Sequence, residues 1–406
     1  MATAKETKEM KINNKWVRAA IPALLIHCSV GTVYCWSIFK EAIAQQIGMS
    51  SFAVGWAFSL AIFFLGMSAA FGGRFVERDI HASSRASALL FASGMIGTGL
   101  ALLFFKGVPA LIMIYLCYGC IMGIGLGIGY LTPVKTLILW FKENPGLGTG
   151  ISIMGFGLAK VMATPLMNLL KGWLGISAMF IILGGFYFVI MMIGHVLLRK
   201  PDGWVEPAQK MNVRELAREY FRNPTFICIW LMFFLNIHCG LMIIPFEVQM
   251  STWAFGSGTM LLAVIPMLTA CFNAGGRLGW SSLSDKYRRK VIIYQMIFFS
   301  CITAGLLLSI KSSLFSIFLL IFLFVVNAGY GGGFSTLPTL LSEQFGMEKI
   351  SSIHGLALSA WAVAGITGNN TAELLMKIGF FSPYLLVIIV AVALYLVAYG
   401  LSLRVD

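Results

Sequence analysis

The chain has 406 residues, 59% hydrophobic and 11% charged, with a mean hydropathy of +0.87. A water-soluble domain carries roughly 25% charged residues, so lipid rather than water covers most of this surface. The net charge of +13 does not point to nucleic acid, because the basic residues are scattered over short segments between long apolar runs.

The first apolar run spans residues 16–39 and follows a polar start directly, so no cleavable signal peptide is expected. Further runs cover 52–72, 86–105, 109–130, 147–170 and 177–198. Runs of about 20 apolar residues cross a bilayer as helices, and are too long for barrel strands. The longest polar segment, 199–223, includes Arg214-Glu215-Leu216-Ala217-Arg218-Glu219, which suits a short amphipathic surface helix. Six more runs follow at 225–248, 258–280, 291–310, 313–338, 353–376 and 383–403. The expected architecture is therefore an all-α membrane protein of twelve transmembrane helices: a bundle over 1–198, a linker over 199–224 and a second bundle over 225–406.

Of the 29 Lys and Arg, 21 fall in segments on one side of this arrangement, five on the other (Lys40, Lys106, Lys171, Lys311 and Lys377) and three inside spans. That asymmetry puts both termini in the cytoplasm. The halves also resemble each other. Gly127-Ile-Gly-Tyr130 aligns with Gly331-Gly-Gly-Phe334 at an offset of 204, Gly150-Ile-Ser-Ile with Gly355-Leu-Ala-Leu at 205, and Ile26-His27-Cys28 with Ile237-His238-Cys239 at 211. Matches in the same order at nearly constant offset suggest duplication of a six-helix unit, which places a substrate between the halves near the midplane.

Two loops share a pattern of a small residue, three others, an acid and a base. One is Gly73-Arg-Phe-Val-Glu77-Arg78 between spans 2 and 3. The other is Ser281-Ser-Leu-Ser-Asp285-Lys286 between spans 8 and 9. The small residue lets helices approach, and the acid is placed to pair with a base or with a neighbouring helix N-terminus. This loop, present twice, resembles the signature of the major facilitator superfamily. Within it, Gly31-Thr-Val-Tyr34-Cys-Trp36-Ser, Trp140-Phe141 with Gly146-Leu147, Gly155-Phe-Gly157-Leu and Asn273-Ala-Gly-Gly-Arg277-Leu-Gly resemble the bacterial oxalate–formate antiporters and, less closely, the monocarboxylate transporters. The resemblance covers essentially the whole chain and implies a bacterial cytoplasmic membrane carrier working by alternating access.

Arg277 is the sharpest candidate site residue. It lies eight residues before Asp285, roughly 12 Å into the helix, where an arginine needs a cavity, an anion or an acid. No acid lies at that depth, so a carboxylate gripped by the planar fork is the favoured use. Asn273 is one turn away on the same face and is a candidate substrate hydrogen-bonder. Tyr34, Tyr130 and Tyr330 on spans 1, 4 and 10 are candidate cavity donors, each set against plain packing. The resemblance aligns Trp361 with a span 11 lysine of the oxalate–formate antiporters, which implies one cation fewer and favours a monoanion over oxalate. Lys135 is a candidate substrate contact set against snorkelling to the headgroups. Lys160 is too deep to snorkel easily and needs a partner. His27 and His238 are candidates for proton coupling, with helix-to-helix hydrogen bonding as the commoner use.

No P-loop, metal-ligand cluster or paired intramembrane carboxylates occur, so neither enzyme nor cofactor chemistry is expected. The CxxC of Cys117 and Cys120 sits in an apolar helix as small buried residues. The expected function is secondary transport of small monocarboxylates of the formate, lactate or pyruvate type, by a monomer, as proton symport or anion exchange. The alternatives are a dicarboxylate exchanger, with Lys135 or Lys160 as second cation, and a non-transporting sensor of the same fold.

Overall fold

A computed structural model of the chain describes residues 14–202, 213–258, 261–288, 290–346, 350–378 and 384–405. Lys5, Lys8, Lys11, Lys210, Arg289 and Lys349 of the charge count, and the middle of the 199–224 linker, lie outside the described residues.

Thirteen helices organise the described residues. The first, α1, runs over 16–47 and tightens to a 3-10 turn at Gly31–Cys35. Next come α2 (Ser51–Arg78), α3 (Ile80–Phe104) and α4 (Gly107–Trp140). The helix Pro145–Leu197 has 53 residues and breaks at Gly175, where φ is +80°. Unbroken it would measure about 80 Å, far more than the ~30 Å of hydrocarbon. A left-handed φ is open to glycine at little steric cost, so the break divides it into α5 (145–174) and α6 (176–197). The short α7 (Val213–Tyr220) is the expected amphipathic helix. Then follow α8 (Pro224–Phe255), α9 (Leu261–Tyr287), α10 (Lys290–Ser309), α11 (Phe315–Phe345), α12 (350–378) and α13 (Leu385–Ser402). No described residue is in a strand.

Nine helical segments among the described residues are long and apolar enough to cross a membrane, the 53-residue one counted once. Neither α9 nor α12 meets that measure. α9 carries Arg277, Asp285 and Lys286, and α12 carries Asn369, Asn370, Glu373 and Lys377. Both pack against helices of the other half as well as their own. In the first half α3 packs on α4 and on Pro145–Leu197, α1 on the same long helix, and α2 on α4. In the second half α9 packs on α11, α8 on α12 and α13, and α10 on α13. Across the halves α9 crosses the long helix and α12 crosses α2. A Cβ on Gly66 of α2 would stand 2.5 Å from the backbone nitrogen of Ala362 on α12, so that crossing depends on a glycine. Lipid-embedded helices gain mainly from such van der Waals contact, which falls steeply with distance.

The start of α1 meets the end of α6, where the Arg199 N–H donates to the Arg18 carbonyl at 3.0 Å. The Trp140 indole at the end of α4 donates to the Arg199 carbonyl at 2.8 Å. These ends define the terminal face of the molecule. The turns after α1, α3 and α5 lie at the far face.

Candidate functional site

Asn273 and Arg277 stand four residues apart on one face of α9. Arg277 is fully buried. Its Nε donates to Asn273 Oδ1 at 2.9 Å, while its two terminal nitrogens have no protein partner. Glycines on both flanking helices let α9 sink this far. A Cβ at Gly331 on α11 would collide with the Asn273 carbonyl, and one at Gly157 on α5 would lie 2.9 Å from Ala274 Cα. The Asn273 oxygen thus holds the guanidinium in place, while Asn273 also lines the cavity described below.

The guanidinium carbon sits 5.2 Å from the Phe334 ring centre and 5.5 Å from that of Phe156, one ring from each half. Cations over ring faces are attracted by the ring quadrupole, by about 2 kcal/mol when desolvated. Trp361 packs on Phe334 at 4.3 Å, on Tyr130 at 5.6 Å and on Phe156 at 5.9 Å between ring centres. Tyr130 in turn contacts Phe156 at 5.8 Å and Phe334 at 6.3 Å. The Tyr130 hydroxyl and the Trp361 indole nitrogen are buried without a protein partner. The result is an aromatic box in which the two terminal nitrogens of Arg277, the Tyr130 hydroxyl and the Trp361 indole nitrogen make no close hydrogen bond, with the Tyr34 hydroxyl near the guanidinium and the Tyr330 hydroxyl near the indole. A buried donor left unpaired costs about 1–3 kcal/mol, more when charged, so an acceptor entering this box would relieve that cost.

Tyr34 and Tyr330 close the far side of the box. Their hydroxyls share a hydrogen bond of 2.7 Å between α1 and α11, and Tyr34 also packs on Phe156 at 5.4 Å. Beyond them lies a cavity of about 200 Å³, lined by Asn273, Tyr34 and Tyr330 at its floor and by Lys40, Glu41 and Gln249 toward the far face. Lys160 also lines it, and donates to Glu247 of α8 at 2.9 Å.

The terminal face is shut by two equivalent contacts. Asp285, at the end of α9, accepts hydrogen bonds from the N–H groups of Gly146 and Leu147 in the first turn of α5, at 2.7 and 2.9 Å. Glu77, at the end of α2, accepts from the N–H and hydroxyl of Ser352 near the start of α12, at 3.1 and 2.9 Å. Each acid caps a helix of the opposite half, where free N–H groups and the helix dipole favour negative charge. Buried Gly73 and Ser281 lie one turn or so before these acids, with the Ser281 hydroxyl bonded to the Arg277 carbonyl at 2.5 Å. A Cβ on Gly146 would strike the Ser281 carbonyl, so α5 and α9 touch backbone to backbone. Arg78 and Lys286 are exposed at the helix ends.

The remaining candidates stand away from the cavity. Lys135 is 7% exposed and does not line it. His27 ties α1 to the Ser152 and Tyr130 carbonyls at 2.5 and 3.1 Å, and His238 meets the Thr367 hydroxyl at 2.9 Å within the second half. Sequence reasoning did not single out Phe156, Phe334, Ser352 or Glu247. The first two are ordinary core types in an apolar helix, and Ser352 is one of many serines. Glu247 is an acid toward the far-face end of its helix, and only the need of Lys160 for a partner hinted at it.

Comparison with known proteins adds to this geometry. The family model described as Major Facilitator Superfamily matches residues 23–369. An oxalate:formate antiporter of Oxalobacter formigenes is 24% identical over 363 residues, covering 88% of this chain and 84% of that protein. Apicoplast pyruvate carrier 1 of Toxoplasma gondii is 24% identical over 315 residues, covering 59% of this chain and 55% of the carrier. A bacterial homologue of the iron transporter ferroportin, solved in an outward-facing state, superposes with a TM-score of 0.74 at 11% identity, over 95% of this chain and 98% of that one.

Proposed function

The chain belongs to the Major Facilitator Superfamily, and we propose that it carries small monocarboxylates of the formate, lactate or pyruvate type across a bacterial inner membrane. The observation that carries this reading is the buried Arg277 fork, whose terminal nitrogens have no protein partner inside an aromatic box. One carboxylate satisfies the fork bidentately, with Tyr130 and Trp361 donating to its free oxygen lone pairs. The apolar walls take a short alkyl or hydrogen substituent. Trp361 supplies bulk and one donor where the oxalate–formate antiporters are expected to have a second cation, so a monoanion is the better match.

The proposal has twelve crossings with both termini cytoplasmic, a reading supported by the helix order and the positive-inside charge count. The cavity then opens outward and the Asp285 and Glu77 caps seal the cytoplasmic side. In the proposed cycle substrate passes the Tyr34–Tyr330 bond, displaces the need for it by engaging both halves at the box, and the two caps release as the halves rock. Energy comes from the substrate gradient, a co-transported proton, or exchange against a second anion. A dicarboxylate exchanger is the second reading: Lys160 lies one turn outward of Phe156, and release from Glu247 would free a second cation.

Purified protein in liposomes, offered radiolabelled formate, lactate, pyruvate and oxalate, tests the reading. Uptake of a monocarboxylate that disappears in Arg277→Gln supports it. Wild-type uptake by Arg277→Gln, or oxalate as the best wild-type substrate, overturns it.

A further inference from the structure

Resting on that reading, we infer that the Lys160–Glu247 ion pair is the proton-coupling site of the carrier, with Glu247 taking the co-transported proton. The pair joins α5 of the first half to α8 of the second at 2.9 Å. Lys160 is 16% exposed and lines the far-face cavity, while the Glu247 side chain is 3% exposed. One carboxylate oxygen of Glu247 is held by the lysine, and the other is buried with no protein partner. In the proposed cycle, wider opening of the far face separates α5 from α8 at this contact. Separation would leave a buried carboxylate without its cation, which is strongly unfavourable, and a proton on the free oxygen removes that penalty.

The surrounding groups leave Glu247 as the carboxylate placed for this role. From α1, Glu41 lines the cavity mouth beside Lys40 and already accepts from the Ser51 hydroxyl at 2.5 Å. Tyr34 of α1 and Tyr330 of α11 are bonded to each other. Cys35 of α1 is buried on the same side of the bundle and lies in the field of Lys160. From α12, Glu373 holds Asn369 at 3.3 Å. α9 and α11 present Ala270, Asn273 and Asn327 to the cavity, none charged, with Arg277 behind the tyrosines. His27 and His238 do not line this cavity.

The charges also balance. In the empty carrier Arg277 and Lys160 are cationic and Glu247 anionic, a sum of one positive charge. With a monoanion on Arg277 and a proton on Glu247, the sum is again one positive charge. Empty and loaded carriers then cross the membrane field with equal charge, which suits electroneutral symport. The proton moves from hydronium in the outward cavity to the free Glu247 oxygen. It leaves to the cytoplasmic side when the halves rock, and the ion pair re-forms.

The test compares two assays on the full chain in liposomes, using whichever labelled monocarboxylate the wild type carries. One assay is accumulation driven by an inward proton gradient, and the other is exchange of internal for external substrate without a gradient. Glu247→Gln should lose gradient-driven accumulation and keep exchange, because it holds the uncharged form permanently. Glu247→Asp should recover part of the accumulation with an altered pH profile. Gradient-driven accumulation at the wild-type level in Glu247→Gln overturns the inference. So does loss of both assays in Glu247→Gln with equal rescue of both by Glu247→Asp, which marks a structural carboxylate. A wild type that exchanges monocarboxylates yet ignores the proton gradient overturns this inference and leaves the proposed function standing. A wild type that carries none of them removes both.

Discussion

Arg277 carries the sharpest consequences at the scale of single residues. Its charge is desolvated and meets no acid, so the unliganded protein bears a cost that a carboxylate relieves. Arg277→Lys keeps the charge and loses the planar fork; with one charge-assisted hydrogen bond gone, at about 1.5–3 kcal/mol, affinity should fall roughly 10- to 100-fold. Arg277→Gln should abolish uptake without lowering the melting temperature of the unliganded protein, since no counter-charge is stranded, and should lose the substrate-induced rise in melting temperature. A large drop in unliganded stability would instead mark a structural arginine. Trp361 is the second test. Trp361→Lys places a cation against the same box, and competition assays should then show oxalate rising relative to formate.

The decisive features at the scale of helices are their ends. Asp285 and Glu77 each bind the N-terminal turn of a helix in the other half, so neutralising them should loosen the terminal face without touching the box. Each charge-assisted cap contributes about 1.5–3 kcal/mol, so Glu77→Gln and Asp285→Asn should each shift the closed–open balance by roughly tenfold or more. Thr149→Cys in an otherwise Cys-free protein reports this, because Thr149 is fully buried on α5 and bonded to the Ser335 carbonyl of α11 at 3.1 Å. Maleimide labelling at that site should speed up in the neutralised variants, and an unchanged rate would show that the caps do not hold the face shut. Asp79 is a different kind of cap. It lies between α2 and α3 and accepts from the Ala82 and His81 N–H groups at 2.9 and 2.8 Å. The Ala82 N–H chiefly, with the His81 N–H adding to it, holds its carboxyl below the usual 3.8, against an opposing effect of burial. A group lowered in the folded state stabilises above its unfolded value and loses that contribution as pH falls through the folded one. Asp79→Ala should therefore cost about 1 kcal/mol near neutral pH and nothing in strong acid, read as convergence of the two melting curves on acidification.

At the scale of the whole molecule the proposed orientation has a direct test. Arg222→Cys on the terminal face and Ser312→Cys in the turn between α10 and α11 are both exposed. In intact cells an impermeant thiol reagent should modify the second and spare the first; the reverse pattern would invert the proposed topology. Helical content, membrane residence and family were legible in the sequence, because about 20 apolar residues in lipid have only one way to satisfy their backbone. Arg277 was legible for a related reason: a lone cation at that depth has few permissible explanations. The short-range relation between Asn273 and Arg277 followed from helical spacing, though what Asn273 bonds did not. The Phe156–Phe334 sandwich, the Glu77–Ser352 and Asp285–Gly146 caps, the Tyr34–Tyr330 bond and the Lys160–Glu247 pair were decided by tertiary structure alone. Each joins residues from opposite halves, between 87 and 296 positions apart. Spacing along one helix specifies which side chains share a face. It says nothing about which face of a distant helix will meet them, and that depends on close packing of glycine-lined surfaces between the two bundles.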